Sequence, residues 1–534
     1  MALYSDSYPF AILPQPKTLI PGSGFFSLTS NMVIVADQEI QAIAHLLANT
    51  LAPALGFTPQ VLAQAPAELP VLLLHVETGL AQAGHEGYTL SVTPQQISIH
   101  GASAAGVFYG TQTLRQLFPP DIFAQTPTHA TWNVPAVTIE DAPRFSWRGV
   151  MLDPARHFFS KEEILKFIDL LALHKMNILH LHLTDDQGWR IEIKKYPRLT
   201  ETGSWRKETV KGHARFPQGY DGTPHGGSYS QEELREIVSY AAARFVTVVP
   251  EIDLPGHAQA AIAAYPELGV TGESVEVATT WGIFPYLYNA EESTLQFLQD
   301  VLTEVLDILP GPFIHLGGDE AIKDQWQSSP RIQERIKELG LKDEDDLQSW
   351  FLARLGTFLA QHDRRLIGWD EILAGDLPER TIVMSWRGIS GGIAAAQAGH
   401  DVVMAPSTHV YFDHYQSNDP AEPLAIGGYT PLDKVYNFDP IPAELTPEQA
   451  GHILGAEGTL WSEYLQTANH LEYMAFPRLI ALAEVTWSAR NRLDFAEFRQ
   501  RLAIHEERLA KLHITSRPVA RWETEQSFPP RSLG

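Results

Sequence analysis

The sequence predicts a (β/α)₈ barrel over residues 143–534, ending in a helical tail and preceded by a small α+β domain with an antiparallel sheet over residues 1–142. Three observations predict it. Strand-like apolar runs alternate with helical patterns from Phe145 onward, there are eight such runs in about 350 residues, and polar and aromatic residues gather at their carboxyl ends. Such alternation builds a parallel sheet with helices outside, and a closed barrel of this kind carries its active site at the carboxyl ends of its strands. A chain of 534 residues also exceeds one ordinary core, which fits two domains.

In the N-terminal unit, Met32–Ala36, Val71–Val76, Tyr88–Val92 and Ile97–His100 are short β-rich runs, the last two joined as a hairpin by Thr93-Pro94-Gln95-Gln96. Ile40, Ile43, Ala44, Leu47 and Leu51 recur at helical spacing, as do Ala105, Phe108, Tyr109, Thr113, Leu114 and Leu117. The prolines of Phe118–Asn133 mark a linker. The barrel strands fall at Arg148–Leu152, Asn177–Leu183, Val246–Pro250, Phe313–Leu316, Leu366–Trp369, Ile382–Trp386, Val402–Met404 and Ile453–Leu460. Helical patterns follow at Lys161–His174, Gln231–Arg244, Thr294–Leu309, Asp345–His362, Gly392–Ala398 and His470–Trp487.

A formal net charge of −25 argues against a nucleic-acid partner or an anionic membrane surface, both of which require clustered Lys and Arg, and points to a neutral or cationic ligand. The absence of cysteine excludes disulfides, thiol nucleophiles and thiolate metal sites. Pro9, Pro14 and Pro16 interrupt the first residues, Lys17 is the first basic one, and no apolar run is long enough to span a bilayer. The expectation is a cytoplasmic protein unless a leader has been removed. Oligomeric state has no signature here.

The run His315-Leu-Gly-Gly-Asp319-Glu320 carries the most chemistry. Paired glycines allow a tight turn close to a ligand, and adjacent carboxyls favour a raised pKa in one of them. Alone, the run is equally an ordinary turn with a solvated acidic cap. The other strand ends add to it: Asp153 and Arg156, Asp185 and Asp186, Glu251, Asp253 and His257, Trp369-Asp370-Glu371, Trp386, Tyr411 and Asp413, then Trp461 and Glu463. A single Trp is more often core. Three at successive strand ends offer flat faces for a sugar ring, while Arg156, Asp413 and Glu463 can grip hydroxyls. Arg156 is alternatively a structural partner of Asp153.

On these segments the chain resembles the family 20 glycoside hydrolases, the β-N-acetylhexosaminidases, and their bacterial members in particular. The matching runs are Arg148-Gly-Val-Met-Leu-Asp153-Pro-Ala-Arg156-His157-Phe, His180-Leu-His182-Leu-Thr-Asp185-Asp186-Gln-Gly-Trp189-Arg190, Tyr220-Asp221-Gly-Thr-Pro-His225-Gly-Gly, Pro250-Glu251-Ile-Asp253-Leu-Pro-Gly-His257, the GGDE run, and Gly458-Thr-Leu-Trp461-Ser-Glu463. The resemblance implies that Glu320 is the general acid and base and that Asp319 orients and polarises the substrate's acetamido group. It implies that Asp185 and His257 relay charge to Glu320, and that Arg156, Asp413 and Glu463 bind sugar hydroxyls. Tyr411 would bond the acetamido oxygen, and Trp369, Trp386 and Trp461 would wall the pocket. This family is a known exception to the two-carboxylate scheme, the substrate's N-acetyl oxygen serving as nucleophile through an oxazolinium intermediate. The implied partner is an oligosaccharide with a terminal β-N-acetylhexosamine; no cofactor or metal is implied, and a lacto-N-biosidase is a variant within the family.

Two rivals lie outside that reading. His180-Leu-His182 puts two imidazoles on one strand face, as in metal-dependent amidohydrolases, or else holds the second strand in register. A barrel that binds sugar without chemistry would need the tryptophans but not Asp319, Glu320, Asp185 and His257 together.

Overall fold

The computed structural model describes residues 10–64, 70–375 and 377–521. Pro9 and the residues before it, on which part of the leader reading rested, lie outside the described residues, as does the end of the tail.

Seven strands make the N-terminal sheet: β1 (Thr18–Ser27), β2 (Val33–Ala36), β3 (Gln60–Leu62), β4 (Val71–Val76), β5 (Tyr88–Val92), β6 (Gln96–Gly101) and β7 (Asn133–Asp141), in the order β1-β7-β5-β6-β4-β2-β3. The sheet is mixed, not wholly antiparallel. β5 pairs antiparallel with β6 and β7, and β1 with β7, whereas β2 runs parallel to β3 and β4, and β4 to β6. Helix α1 (Gln41–Leu55) causes the first parallel pair, because a crossover helix returns the chain to the end of the sheet it left. The stretch expected as a linker includes a short turn, Pro120–Phe123, whose Ile122 and Phe123 are buried.

The barrel closes with eight parallel strands: Trp147–Leu152, Ile178–His182, Thr247–Leu254, Phe313–Gly317, Arg365–Trp369, Ile382–Ser385, Asp401–Met404 and Ile453–Leu460. The last pairs with the first from Gly455↔Trp147 to Leu460↔Leu152. The third runs past Pro250 to Leu254, which carries Glu251 and Asp253 to the rim. Ser160 and Ser230 open the first two barrel helices, Lys161–Leu173 and Gln231–Ala242, with reciprocal bonds to Glu163 and Glu233, so both helices start where the sequence supplies a capping box. The span expected as one helix, His470–Trp487, is two, Ala468–Ala475 and Arg478–Trp487. Pro477 stands between them and lacks the N–H that a continuous helix requires.

Ile178, Val249, Ile367, Ile382, Met384 and Val403 pack with Trp147 and Trp369 inside the barrel. Ala172, Leu173 and Trp487 join the barrel to the core of the N-terminal sheet. The tail helix, Phe495–Lys511, binds the first described residues: Arg508 donates to the Ala11 carbonyl at 2.7 Å and Arg501 to that of Ile12 at 3.0 Å. No helix among the described residues is long and apolar enough to cross a membrane.

Candidate active site

The fourth barrel strand ends in a turn that only its glycines permit. Gly317 and Gly318 have φ of 63° and 97°, and a Cβ on Gly317 would stand 1.6 Å from Asp253 Oδ1. Glu320 and His257 also adopt left-handed backbone, at φ 48° and 50°, without being glycine. Such strain gathers where the surrounding fold must aim a side chain. The turn sets the two acids apart: the Asp319 side chain is 11% exposed and that of Glu320 31%.

All eleven residues expected at the site line one pocket of about 260 Å³: Arg156, Asp185, His257, Asp319, Glu320, Trp369, Trp386, Tyr411, Asp413, Trp461 and Glu463. The structure adds His182, Asp253, His414 and the Ile426–Gly428 loop to its wall. That loop was not legible as part of the site, and neither was its brace. His213, on the hairpin formed by Val210–His213 and Phe216–Tyr220, bonds the Ile426 carbonyl at 3.0 Å.

Arg156 is held between Asp153 at 3.0 Å and Asp185 at 2.7 Å, with its guanidinium 5.1 Å from the Trp461 ring centre. The structural pairing with Asp153 and a place in the pocket therefore coexist. His257 turns Nδ1 to Asp185 and Asp186, each at 3.2 Å, and Nε2 to Glu320 at 3.6 Å and Asp319 at 3.8 Å. Trp369 donates to Glu251 and Trp386 to Glu371, both at 2.9 Å, so each indole is locked in place. Tyr411 stacks near Trp386 with an interplanar angle of 24°.

The charges here are unevenly answered. Asp413 has no hydrogen-bond partner at either oxygen, and Glu463 Oε2, Asp319 Oδ1 and Asp253 Oδ2 are likewise buried without one. Burial, joined by repulsion from Glu371, Glu251 and Glu320 against the pull of His257, pushes Asp319 up to about 8. Burial and Asp319 push Asp253 well above the carboxylate range, and burial with Glu463 does the same to Asp413. Asp185 goes the other way: burial alone would raise it, but Arg156, His257 and His182 outweigh burial and hold it ionised. His257 is held as a cation because Asp185, Asp186 and Glu320 outweigh its burial. The pocket thus offers acceptors for hydroxyl and amide protons, aromatic walls, and one carboxyl open to the mouth.

Among the described residues, four sets of three buried groups bring ligand atoms within 4.8 Å of one another: His180, Glu251 and His315; His182, Asp185 and Asp253; Asp185, Asp186 and His257; and Asp253, His257 and Asp319. Each set contains an imidazole turned at both nitrogens toward carboxylates. His180 faces Glu457 at 2.7 Å and Glu251 at 3.1 Å, and His182 faces Glu251 and, at 2.9 Å, Asp185. A doubly protonated ring has no lone pair for a metal. The H-x-H motif therefore fits a charge network between strands better than a metal centre.

Among known protein families, residues 145–490 match "Glycosyl hydrolase family 20, catalytic domain" and residues 10–142 match "Glycosyl hydrolase family 20, domain 2". A beta-hexosaminidase of Porphyromonas gingivalis is 45% identical over 494 residues, covering 92% of this chain; the chain spans 62% of that protein's length. One from Akkermansia muciniphila is 37% identical, with 83% of this chain and 88% of that protein covered. The structure of a GH20 beta-N-acetylhexosaminidase from Streptomyces coelicolor superimposes with a TM-score of 0.84 at 32% identity, covering 95% of this chain and 97% of that one. A mutant Streptomyces plicatus beta-hexosaminidase, solved in complex with its product GlcNAc, superimposes with a TM-score of 0.83 at 32% identity, covering 95% and 96% of the two chains.

Proposed function

The chain belongs to glycosyl hydrolase family 20, and from that membership and its pocket we propose that it is a retaining exo-β-N-acetylhexosaminidase releasing terminal β-linked GlcNAc or GalNAc through substrate-assisted catalysis. The observation that carries the reading is the split between two adjacent carboxyls. Asp319 is enclosed with one oxygen unpartnered, while Glu320 opens to the mouth beside His257. Glu320 protonates the leaving oxygen and later takes a proton from water. Asp319 holds the acetamide so that its oxygen attacks the anomeric carbon, and it balances the charge that develops on the nitrogen. Ionised Asp319 is costly in the empty pocket, and the cationic oxazolinium is the partner that repays it. Two inversions retain the β configuration.

A pocket of about 260 Å³ walled by Trp369, Trp386 and Trp461 supports binding of one terminal sugar ring. A second cavity of about 690 Å³ shares Glu320 and is bordered by Glu371 and Arg387. Its sharing of Glu320 supports a role for it in holding the leaving part of an oligosaccharide.

The test is a series of aryl glycosides whose acetyl group carries one, two or three fluorines. Each fluorine weakens the attacking carbonyl oxygen with little change in shape, so the rate should fall stepwise. A thiazoline shaped like the bicyclic intermediate should bind much more tightly than the released sugar. A flat fluorine series, with covalent trapping of an enzyme carboxylate by a 2-deoxy-2-fluoro glycoside, would overturn the mechanism.

A further inference from the structure

Asp185 and His257 are the last links of a longer line. Trp147 Nε1 donates to Glu457 Oε2 at 2.9 Å, and Glu457 Oε1 meets His180 Nδ1 at 2.7 Å. His180 Nε2 meets Glu251 Oε2 at 3.1 Å, and the same oxygen bonds His182 Nδ1. His182 Nε2 then reaches Asp185 Oδ2 at 2.9 Å, Asp185 Oδ1 reaches His257 Nδ1 at 3.2 Å, and His257 Nε2 faces Glu320 at 3.6 Å. Carboxylate and imidazole alternate throughout. The line joins the first, eighth, second and third strands and the loops after strands two, three and four, and every residue before Glu320 is buried.

We propose that His182 and Glu251 are positioning residues for Glu320, acting through Asp185 and His257 as inner links of a buried chain of alternating charge. This deepens the reading of Glu320 as the acid and rests on it. An imidazole set between two carboxylates is favoured as the doubly protonated cation; His182 is hydrogen-bonded at both nitrogens, while His180 and His257 are bonded at Nδ1 and held at Nε2 by charge alone. His182 and Arg156 share Asp185 Oδ2, at 2.9 and 2.7 Å, which leaves Oδ1 to the Asp186 amide at 2.6 Å and to His257 at 3.2 Å, whose Nε2 then faces Glu320 and Asp319. In a buried line each charge reaches its neighbours with little screening. His180, raised to about 9 by Glu457 and Glu251 despite its burial, shows the same balance one link further away.

Other charged groups also face these links. Glu251 Oε1 receives the Trp369 indole N–H at 2.9 Å and lies 2.9 Å from His315 Nδ1, which itself accepts from the Gly317 amide at 3.0 Å. Asp185 receives Arg156 at 2.7 Å, Asp153 acts on His182 from the first strand's end, and the Trp461 ring lies edge-on to His182 at 4.9 Å. These partners remain in every variant below, and with Glu251 replaced His182 still faces Asp185 and His180 still faces Glu457, so each ring keeps a carboxylate to hold its proton and the sign follows the charge removed.

Removing a positive charge makes the protonated acid easier to keep, and removing a negative charge makes it harder. The experiment measures kcat/KM against pH with an aryl N-acetyl-β-glucosaminide. His182→Gln should move the basic limb up by about half to one pH unit and Glu251→Gln should move it down by a similar amount, with His180→Gln giving a smaller upward shift. Opposite shifts are what a packing defect cannot produce. Limbs that stay fixed while the rate falls, or that move the same way in both inner variants, overturn the proposal. Should the inner variants fail to melt cooperatively, Glu457→Gln decides: a small downward shift supports the chain, and an unmoved limb overturns it. Wild-type protein that lacks hexosaminidase activity, or a fully active Glu320→Gln, would instead defeat the underlying reading.

Discussion

Where the N-terminal sheet meets the barrel, every contact around buried Asp141 answers its charge: Lys175 Nζ at 2.9 Å, the Tyr88 hydroxyl at 2.6 Å, the Trp487 indole at 3.0 Å and the Lys17 amide at 3.0 Å. Beside it, Arg148 forms a two-pronged pair with Glu86 at 2.7 and 3.1 Å. In the pocket, acids face one another instead, and Asp413, Glu463, Asp319 and Asp253 keep buried, unpartnered oxygens. The interface is complete in itself, whereas the pocket is complementary to something it must still bind. A buried charge thus serves stability when its partners come from the chain and serves recognition when they are to come from a ligand.

The two regions should respond oppositely to removal of one group. Glu320→Gln should lower turnover of oligosaccharides by about 10²–10⁴-fold while leaving the melting temperature unchanged, with less loss for aryl glycosides whose phenol leaves readily. Equal loss across leaving groups of different pKa would count against Glu320 as the acid. At the interface, Lys175→Met should cost about 3–5 kcal/mol in urea denaturation, because it strands Asp141 in the interior, while turnover per folded molecule stays at the wild-type level. A stability change below about 1 kcal/mol would mean that Tyr88 and Trp487 suffice for that carboxylate.

The barrel was legible because its strands, buried on both faces, are compact apolar runs set between helical patterns. β1 and β7 were not, since Pro21, Gly22 and Gly24 break the first and Pro135 the second, and the β1 pairing shifts register between Pro21 and Phe25. The strand-end residues could be assigned to one pocket because barrel topology brings all eight ends together. Which partner each would meet could not. His182 and Glu251 lie 69 residues apart and Trp369 and Glu251 118 apart, so their pairing depends on strand order and side-chain direction. A signal existed nonetheless. His180 with His182, and Glu251 with Asp253, alternate by two on neighbouring strands, which points each pair to one face.

The sharpest use of the contrast is Asp319→Asn, which should cost activity and add stability at once. The folded carboxyl titrates at about 8, far above the 3.8 of an ordinary aspartate, so between those values the unfolded chain is ionised while the folded one keeps its proton. Folding stability attributable to this group is therefore whole below about pH 4 and declines as pH rises toward 8. Asparagine fills the same space without that titration. The variant should gain stability over wild type at pH 8 and nothing near pH 4, an instance of stability surrendered for function. Thermal melts of both proteins across that range provide the measurement. A bound thiazoline should reverse the order, because its cation stabilises wild-type Asp319 in the ionised form and gives asparagine little. If the variant is less stable than wild type at pH 8 without ligand, then Asp319 is held by its neighbours in the manner of Asp141, and the distinction between the two regions fails at its central residue.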